Sequence, residues 1–450
     1  MSYTKEMPVL NAEHHDHDHH HNESEKENTL LKKPVIHKKL NGKKLFVSKQ
    51  LSCTSSRVYV KHYEDYMVAH GCEVITNPKE ADLLLVDTCA YNKKAEEESI
   101  NKIKENKKSA KFDAKVIVCG CLAAINPKRL DEEYKGAYFS PKNEKNLSLI
   151  LGLDEEEEKF NTATNPLVRG RFMGSDDYSR SDWYNKLMLN GIAFFHAINN
   201  GLNIEKMPFI GGFISSTQAA NPKAYAITIS QGCLGNCSFC VIPKAKGKTQ
   251  SVPLSLIIEK IKELTQQGVK KIILASEDTG AYGKDIGCTV VDLLKKINDI
   301  PGKFDIYIHF FDPRWLRSYG DDLMEVFEKG KIKFIQLPLQ SGSNQVLNRM
   351  RRAYQIEHVV PFIETYKKRF PKLTIATQFI AGFPGETKEE FEATHSILKK
   401  RLFDYVEVFN FSNRPGAECE RMEDHLSNEI ISERSKILRK DFIKRKLLPF

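Results

Sequence analysis

Residues 223–430 alternate between apolar runs of strand length and stretches with helical periodicity, and this alternation constrains the fold more than any other feature of the chain. It is typical of βα units around a parallel sheet. The predicted strands lie at 225–230, 271–275, 305–309, 334–338, 374–381 and 405–410. The predicted helices lie at 254–267, 290–298, 321–329, 343–352, 356–369 and 387–401. Six units predict an α/β fold, a partial (βα)6 barrel open on one side, with its chemistry at the carboxyl ends of the strands.

The loop after the first of these strands carries three cysteines, Cys233, Cys237 and Cys240. Thiolates are the usual protein ligands of iron–sulfur clusters, and C-x3-C-x2-C spacing lets one loop hold three irons of a 4Fe–4S cluster. The fourth iron is then free to bind a chelating cosubstrate. A zinc site with a fourth ligand elsewhere is the alternative, because zinc sites also use closely spaced cysteines. The position of the loop at a strand end, where a βα series begins, favours the cluster.

A shorter alternation in residues 43–150 predicts a separate N-terminal domain. Strands at 44–48, 83–87 and 115–119 alternate with helices at 55–70 and 93–107, which predicts a doubly wound parallel sheet. Cys53, Cys89 and Cys121 each follow the carboxyl end of one of these strands. Such ends face one crevice, so these three N-terminal cysteines are predicted to converge and are able to hold a second cluster. Ordinary core burial is the alternative, and it suits Cys72 and Cys119 better.

Composition predicts the character of the remaining segments. Residues 1–42 join a histidine-rich run to a polar stretch, which predicts a disordered tail. Residues 151–222 are expected to form a linker and a helical insertion, with a helix at 182–199, and residues 431–450 a basic C-terminal helix. A membrane-spanning run and a signal peptide are both lacking, so we expect a cytoplasmic protein. Its net charge of +9 permits an anionic partner such as RNA.

With both cysteine sets in place, the chain resembles the radical SAM methylthiotransferases over roughly residues 43–150 and 223–430. The shared pieces are Gly232-Cys233 through Cys240, Gln340-Ser-Gly-Ser343, Gly382-Phe-Pro-Gly-Glu386, Arg414-Pro-Gly416, Cys53, Cys89 and Gly120-Cys121. The phrase Ser276-Glu-Asp-Thr-Gly-Ala-Tyr-Gly283 is similar to the branch that methylthiolates threonylcarbamoyladenosine beside the tRNA anticodon.

This resemblance implies an enzyme that uses two 4Fe–4S clusters and S-adenosylmethionine (SAM). One SAM is cleaved reductively at the cluster held by Cys233, Cys237 and Cys240, and the radical produced removes hydrogen from an unactivated carbon. Sulfur kept at an auxiliary cluster, held by the three N-terminal cysteines, is methylated and delivered to that carbon. The family also implies tRNA as the partner and an electron donor such as flavodoxin or ferredoxin.

Five further residues are assigned to SAM: Phe239 by the same resemblance, and Glu277, Gln340, Ser341 and Gly382 by their positions after predicted barrel strands. Phe239 is expected to pack near the adenine, and Glu277 to accept hydrogen bonds from the ammonium group. Each polar or glycine position also has a simpler explanation. Glu277 is alternatively a helix-capping or surface carboxylate, Gln340 and Ser341 a strand-to-helix cap, and Gly382 a residue of a turn.

Two other functions stay open at this level. The same chemistry could act on a protein or peptide side chain, because the family usually adds an RNA-binding β-barrel and residues 431–450 predict only a helix. The chain could also be a non-catalytic iron–sulfur or zinc protein that binds a partner.

On the predicted helix at 343–352, Arg349, Arg351 and Arg352 could contact phosphate, but a solvated face is favoured.

Overall fold

The computed structural model describes residues 39–50, 54–153, 168–169 and 224–447, and two large parallel sheets lie within these ranges. Cys53, residues 1–38 of the predicted tail and the predicted helix at 182–199 lie outside the described residues. In the described ranges, no helix is long and apolar enough to cross a membrane. The predicted α/β class, with a doubly wound N-terminal sheet and a partial barrel, is confirmed.

Five strands form the N-terminal sheet: β1 (Lys44–Ser48), β2 (Glu73–Val74), β3 (Leu83–Thr88), β4 (Lys115–Gly120) and β5 (Ala137–Phe139). All neighbours are parallel, in the order β2-β1-β3-β4-β5. The helices here are α1 (Thr54–Ala69), α2 (Lys93–Ser109), α3 (Leu122–Ile125), α4 (Pro127–Glu133) and α5 (Asn146–Leu151). β3 is buried along its whole length, as expected of a central parallel strand. The two strands that the sequence did not predict, β2 and β5, lie at the edges.

The second sheet is the predicted barrel. The strands of this region are β6 (Val168–Arg169), β7 (Ala224–Thr228), β8 (Ser230–Gln231), β9 (Gln250–Ser251), β10 (Lys271–Ala275), β11 (Asp305–Ile308), β12 (Ile332–Gln336), β13 (Thr374–Ala381) and β14 (Tyr405–Asn410). The barrel sheet runs in the order β14-β13-β12-β11-β10-β7-β6, and β8 pairs only with β9. Its first six strands are parallel, and β6 is antiparallel to β7 at the edge.

Eight helices accompany these strands in the described part of the chain. They are α6 (Ile242–Lys246), α7 (Leu254–Gln266), α8 (Val290–Asp299), α9 (Leu316–Glu328), α10 (Asn344–Arg349), α11 (Ile356–Arg369), α12 (Lys388–Lys399) and α13 (Asn428–Leu447). Buried residues of α7, α8, α9, α11 and α12 join those of the strands in one hydrophobic core around the barrel. Capping explains several starts: the side chains of Thr289 and Thr387 each accept a hydrogen bond within a capping box.

Several boundaries differ from the prediction for local reasons. The first barrel strand ends at Thr228, because residues 230–231 pair with β9 instead. α9 begins at Leu316 rather than 321, since a 3-10 turn capped by the Asp312 side chain leads into it. α10 ends at Arg349 rather than 352, because Arg351 adopts a left-handed φ of 54°. Arg352 is therefore not on the helix, and its side chain takes a different direction.

The N-terminal domain packs against the carboxyl ends of the barrel strands. Val58 of α1 packs with barrel residues Ala226, Ile273, Ala275, Tyr307, Phe334 and Ala376. A second cluster joins Cys121 and Leu122, which follow β4, to Val241 and Ala245, which follow the first barrel strand. An ion pair between Glu96 and Arg414 links α2 to the loop after β14. The carboxyl edges of the two sheets therefore meet at a common boundary.

The terminal helix α13 covers β13 and β14, and part of its basic character serves this packing. Ile431 and Leu438 are buried. The Arg434 guanidinium forms an ion pair with Glu386 at 2.6 Å. Arg439 donates a hydrogen bond to the Val408 carbonyl at 2.6 Å. Two arginines of the predicted basic helix therefore anchor it to the barrel.

Candidate functional site

The radical-cluster loop, which we define as residues 232–240, is closed by its own backbone. The Cys233 amide donates to the Gly247 carbonyl at 3.2 Å, and the Cys240 amide donates to the Cys237 carbonyl at 3.0 Å. Gly232 has a φ of 82°, and a Cβ there would lie 2.3 Å from the Lys248 carbonyl oxygen. Only glycine fits so close an approach in this conformation. The loop thus folds back towards the end of α6, and its three cysteines lie within eight consecutive residues.

Two of the three sulfur atoms lie beside a position that glycine leaves open. A Cβ added to Gly235 would lie 3.2 Å from the Cys233 Sγ and 3.8 Å from the Cys237 Sγ, so these two sulfurs converge on a position that glycine keeps open. All three thiols are free. Burial raises the pKa of Cys233 and of Cys240 to about 12. Such thiols keep their protons at neutral pH, and binding of iron would displace these protons. Three sulfur donors on one loop fit a 4Fe–4S cluster.

The last turn after α10 braces this loop. Ser238, between the second and third cysteines, donates from its amide to the Met350 carbonyl at 3.0 Å. Its hydroxyl donates to the Arg349 carbonyl at 2.7 Å. The Arg352 guanidinium then reaches the Cys237 Sγ at 3.4 Å, and its side chain is only 6% exposed. The predicted solvated face is therefore wrong for Arg352, because the helix ends before this residue and its chain turns inward.

A second buried ion pair flanks the loop on the side of Cys233. Arg314 contacts Asp278 at 2.5 Å, and the Trp315 indole donates to the same carboxylate at 3.0 Å. Arg314 Nη1 lies 3.7 Å from the position that a Cβ of Gly235 would occupy. The first such pair joins the Arg352 guanidinium to Asp312 Oδ2 at 2.9 Å. Sequence reasoning missed both arginine–aspartate pairs, since the two partners of each pair lie on different connecting segments of the chain. The only signal available was that Asp278, Asp312 and Arg314 lie within a few residues of the ends of β10 and β11.

Glu277, predicted to accept hydrogen bonds from SAM, lies beside the loop. Its carboxylate accepts hydrogen bonds from Lys246 at 2.5 Å and from the Gly232 amide at 2.9 Å. The Tyr59 hydroxyl of α1 is 3.4 Å from both carboxylate oxygens. Glu277 therefore links the radical-cluster loop, α6 and the N-terminal domain. Its contact with SAM remains a prediction.

Gln340 and Ser341 form the junction between β12 and α10. Ser341 is fully buried, its hydroxyl lies 3.1 Å from the Thr394 hydroxyl, and it accepts a hydrogen bond from the Ser343 amide at 3.1 Å. These contacts favour the strand-to-helix cap over a SAM contact for Ser341. Gln340 has a φ of 66°, and its side-chain oxygen is buried without a hydrogen-bond partner in the described residues. An unpaired buried acceptor is costly, so Gln340 stays a candidate for ligand binding.

Phe239 and Gly382 lie in well-packed surroundings. Phe239 is partly buried against the hydrophobic cluster that contains Cys121. Gly382 has a φ of 79°, and a Cβ there would lie 2.4 Å from Ile431 Cγ1 and 3.1 Å from Ile431 Cα. The close approach of α13 is a sufficient reason for glycine at this position. The role of Gly382 in SAM binding stays a prediction.

Replacing Gly382 with alanine is expected to lower the free energy of unfolding by about 2–4 kcal/mol, because left-handed backbone strain adds to overpacking against α13. Gly385→Ala is the matched control, since its φ is 71° but its Cβ would have 3.6 Å of clearance. It is expected to cost only the backbone strain, about 1–2 kcal/mol. Denaturant unfolding measures both. Equal costs for the two variants would contradict the packing account.

Two of the three N-terminal cysteines lie side by side. Thr88 of β3 is in register with Gly120 of β4, so Cys89 and Cys121, the next residues, follow adjacent strand ends. The Cys121 amide donates to the Thr88 carbonyl at 3.1 Å. Both cysteines are buried. Cys53 lies outside the described residues, so the third member of the predicted set is not placed.

A buried polar network ties the segments around these cysteines together. The Ser99 hydroxyl lies 2.8 Å from the Cys89 carbonyl, 2.9 Å from the Cys89 amide and 3.0 Å from the Gln50 side chain. The Gln50 backbone amide and the Ser56 hydroxyl both donate hydrogen bonds to the Asp87 carboxylate, each at 3.1 Å. Across residues 39–50, 54–153 and 224–447, no three His, Cys, Asp or Glu side chains are grouped as a single metal ion would require. The network holds the Gln50 backbone and the Ser56 side chain to Asp87, and it holds the Cys89 backbone to Ser99.

Comparison with known families gives a match to each domain. Residues 227–398 match the radical SAM superfamily, and residues 45–139 match the uncharacterized protein family UPF0004. The first match spans the barrel from β7 to α12. The second spans the N-terminal sheet from β1 to β5. Each cysteine set therefore lies within a matched region.

Three relatives illustrate the range of similar proteins. A probable threonylcarbamoyladenosine tRNA methylthiotransferase of Pyrococcus abyssi is 31% identical over 82% of this chain and 76% of its own length. The ribosomal protein uS12 methylthiotransferase RimO of Carboxydothermus hydrogenoformans is 30% identical over 85% of this chain and 79% of its own. A tRNA-2-methylthio-N(6)-dimethylallyladenosine synthase of Wolinella succinogenes is 29% identical over 87% and 82%.

Among solved structures, the radical S-adenosylmethionine methyltransferase TsrM from Kitasatospora setae, with cobalamin and a 4Fe–4S cluster bound, superposes with a TM-score of 0.56. The alignment covers 84% of this chain and 76% of TsrM, at 13% sequence identity. At that identity the likeness shows a shared fold alone.

Proposed function

The chain belongs to the radical SAM methylthiotransferase family, and from that premise we propose that it inserts a methylthio group into threonylcarbamoyladenosine of tRNA, beside the anticodon. It is an enzyme of a family that uses SAM and two 4Fe–4S clusters. When bound, these groups supply the reductive cleavage of SAM and the sulfur that is transferred, while the protein supplies binding and orientation. The observation that carries the proposal is the meeting of both cysteine-bearing edges at one boundary.

In this proposal, each set of three cysteines has a separate task. Cys233, Cys237 and Cys240 hold the cluster that binds SAM, and Cys53, Cys89 and Cys121 hold the auxiliary cluster. Support comes from the packing of Cys121 and Phe239 in one hydrophobic cluster, which brings the two edges close enough to serve one substrate. The same contact excludes water from the boundary, as chemistry on an unactivated carbon requires.

The remaining side chains at the boundary orient and enclose. Glu277 holds the radical-cluster loop through the Gly232 amide and is itself held by Lys246. Phe239 provides an apolar surface beside the third cysteine for the adenine ring. Gln340 offers a buried amide oxygen for a donor on SAM. Ser341 and Gly382 shape the loops that carry these groups.

The choice of substrate draws on the relatives. Relatives from Pyrococcus abyssi and Methanocaldococcus jannaschii named for threonylcarbamoyladenosine are 31% and 29% identical to this chain. The motif from Ser276 to Gly283 supports the same branch. It places Asp278 in the buried pair with Arg314, next to the radical-cluster loop. Ribosomal protein S12 is the second candidate, because a uS12 methylthiotransferase is 30% identical over a similar span.

Nucleosides from tRNA of cells lacking the gene are expected to contain no methylthio-threonylcarbamoyladenosine, with the unthiolated nucleoside raised by a matching amount. Mass spectrometry of digested tRNA measures both. Restoring the wild-type gene should return the methylthio form, whereas restoring Cys237→Ala should not. An unchanged methylthio pool, together with loss of a methylthio group from S12, would move the substrate to the ribosomal protein.

A further inference from the structure

We propose that Arg352 and Asp312 act as an opposed charge pair that sets the reduction potential of the cluster on the radical-cluster loop. In this pair, the Arg352 guanidinium stabilises the reduced cluster through its hydrogen bond to Cys237, and Asp312 limits that effect. Both are positioning residues rather than catalytic ones. The inference rests on the proposed role of Cys233, Cys237 and Cys240 as cluster ligands.

The contact that carries the inference is direct and buried. Arg352 Nη1 donates to the Cys237 Sγ at 3.4 Å and lies 2.9 Å from Asp312 Oδ2. Nη2 of the same guanidinium donates to the Pro338 carbonyl at 3.0 Å. The side chains of Arg352 and Asp312 are 6% and 12% exposed. Solvent therefore screens their charges little at the sulfur.

Local structure fixes the direction of Arg352. Arg351 takes a left-handed φ of 54°, which ends α10, and the Arg352 amide donates to the Leu347 carbonyl at 2.8 Å. The guanidinium lies 5.3 Å from the centre of the Tyr354 ring, a cation–π distance. With a carbonyl, a carboxylate, a sulfur and a ring around it, the guanidinium is held in one place.

Hydrogen bonds to cluster sulfurs and net charge nearby are the main controls of an iron–sulfur potential. Reduction adds one electron, hence one negative charge, to the cluster. A cation on a ligand sulfur favours that state and makes the potential less negative. Asp312 opposes it, because its carboxylate neutralises part of the guanidinium charge and also lies 3.9 Å from Arg314 Nε. Removing either member should therefore shift the potential, in opposite directions.

The test is a redox titration of the full chain, reconstituted anaerobically with iron and sulfide and reduced with dithionite. Electron paramagnetic resonance follows each cluster, and the signal that changes on adding SAM identifies the open-iron cluster. Arg352→Gln is expected to lower the ratio of reduced to oxidised cluster at least tenfold at a fixed potential, about 59 mV for one electron. Asp312→Asn is expected to raise that ratio, and the double variant to lie near the wild type.

Three internal checks separate charge tuning from a merely structural role. Arg351→Gln removes the same charge one residue away, from an exposed pair with Glu418, and should shift nothing. Arg352→Lys keeps the charge and should recover part of the shift. The signal that is insensitive to SAM should keep its potential in every variant, because its cluster belongs to the other domain.

Shifts of the same sign in Arg352→Gln and Asp312→Asn, or no shift in either, would overturn the inference. If Arg352→Gln holds no cluster, the opposite shift of Asp312→Asn decides, and its absence counts against charge tuning. Failure of the proposed function would look different. The wild-type chain would then show no signal that SAM perturbs, and Cys237→Ala would lose no iron.

Discussion

Cys237→Ala is expected to reduce the iron content from about eight to about four atoms per chain and to abolish the formation of deoxyadenosine from SAM. The second cysteine of the radical-cluster loop lies between its two partners, and its sulfur converges with that of Cys233 on Gly235. Without Cys237, only two thiolates of the loop remain, and two are too few to hold a stable 4Fe–4S cluster with a single open iron. Iron assay and chromatography of the reduced reaction with SAM measure both effects.

Cys288→Ala is the matched control for this substitution. Cys288 is a partly buried thiol of the same barrel, and it packs against the main core. It should keep all the iron and normal cleavage of SAM. Persistent deoxyadenosine formation by Cys237→Ala would remove this residue from the cluster ligands and would undo the proposed function with it.

The bounds of several strands, and the cysteines that follow strand ends, could be predicted from the sequence. The barrel strands β10, β13 and β14 begin and end at the residues that the sequence predicts. The reason is clearest for β10, because a parallel strand that is buried after its first residue is apolar along that length. The positions of Cys89 and Cys121 could also be predicted, because the carboxyl ends of parallel strands lie at one edge of the sheet, and each cysteine directly follows such an end.

The charged side chains around the radical-cluster loop could not be predicted from the sequence. Arg352 contacts Cys237 across 115 residues of chain, and Arg314 contacts Asp278 across 36. Helical periodicity placed Arg352 on the face of a helix, whereas the left-handed φ of Arg351 ends that helix three residues early. A non-glycine residue in this conformation is uncommon, so sequence patterns give little warning of it.

Packing gives a structural reason for two of the residues that were predicted to bind SAM. Ser341 was assigned to SAM, but its hydroxyl is fully buried against Thr394. Gly382 was assigned to SAM as well, and the approach of Ile431 explains it without a ligand. Motifs shared by a family mix residues that touch the ligand with residues that hold the loops in place, and only contacts tell them apart.

Cys89→Ala is expected to leave the cleavage of SAM intact and to abolish methylthiolation of the substrate. The Cys89 backbone is held on both sides by the Ser99 hydroxyl, so alanine should leave the fold around it unchanged. What is lost is a thiolate of the auxiliary cluster, and iron should fall from about eight to about four atoms per chain. Deoxyadenosine should still form, because the radical-cluster loop is closed by its own backbone hydrogen bonds and lies in the other domain.

Cys72→Ala provides the comparison within the same sheet. Cys72 is buried as deeply as Cys89 but precedes β2, so it lies at the opposite, amino-terminal edge of the parallel strands. It should keep full iron content and normal thiolation, which excludes a general effect of losing a buried thiol. Pairing Cys89→Ala with Cys237→Ala then separates the two tasks: one variant cleaves SAM without transferring sulfur, and the other does neither. Normal thiolation by Cys89→Ala would mean that sulfur is stored elsewhere, and the meeting of the two sheet edges would need another purpose.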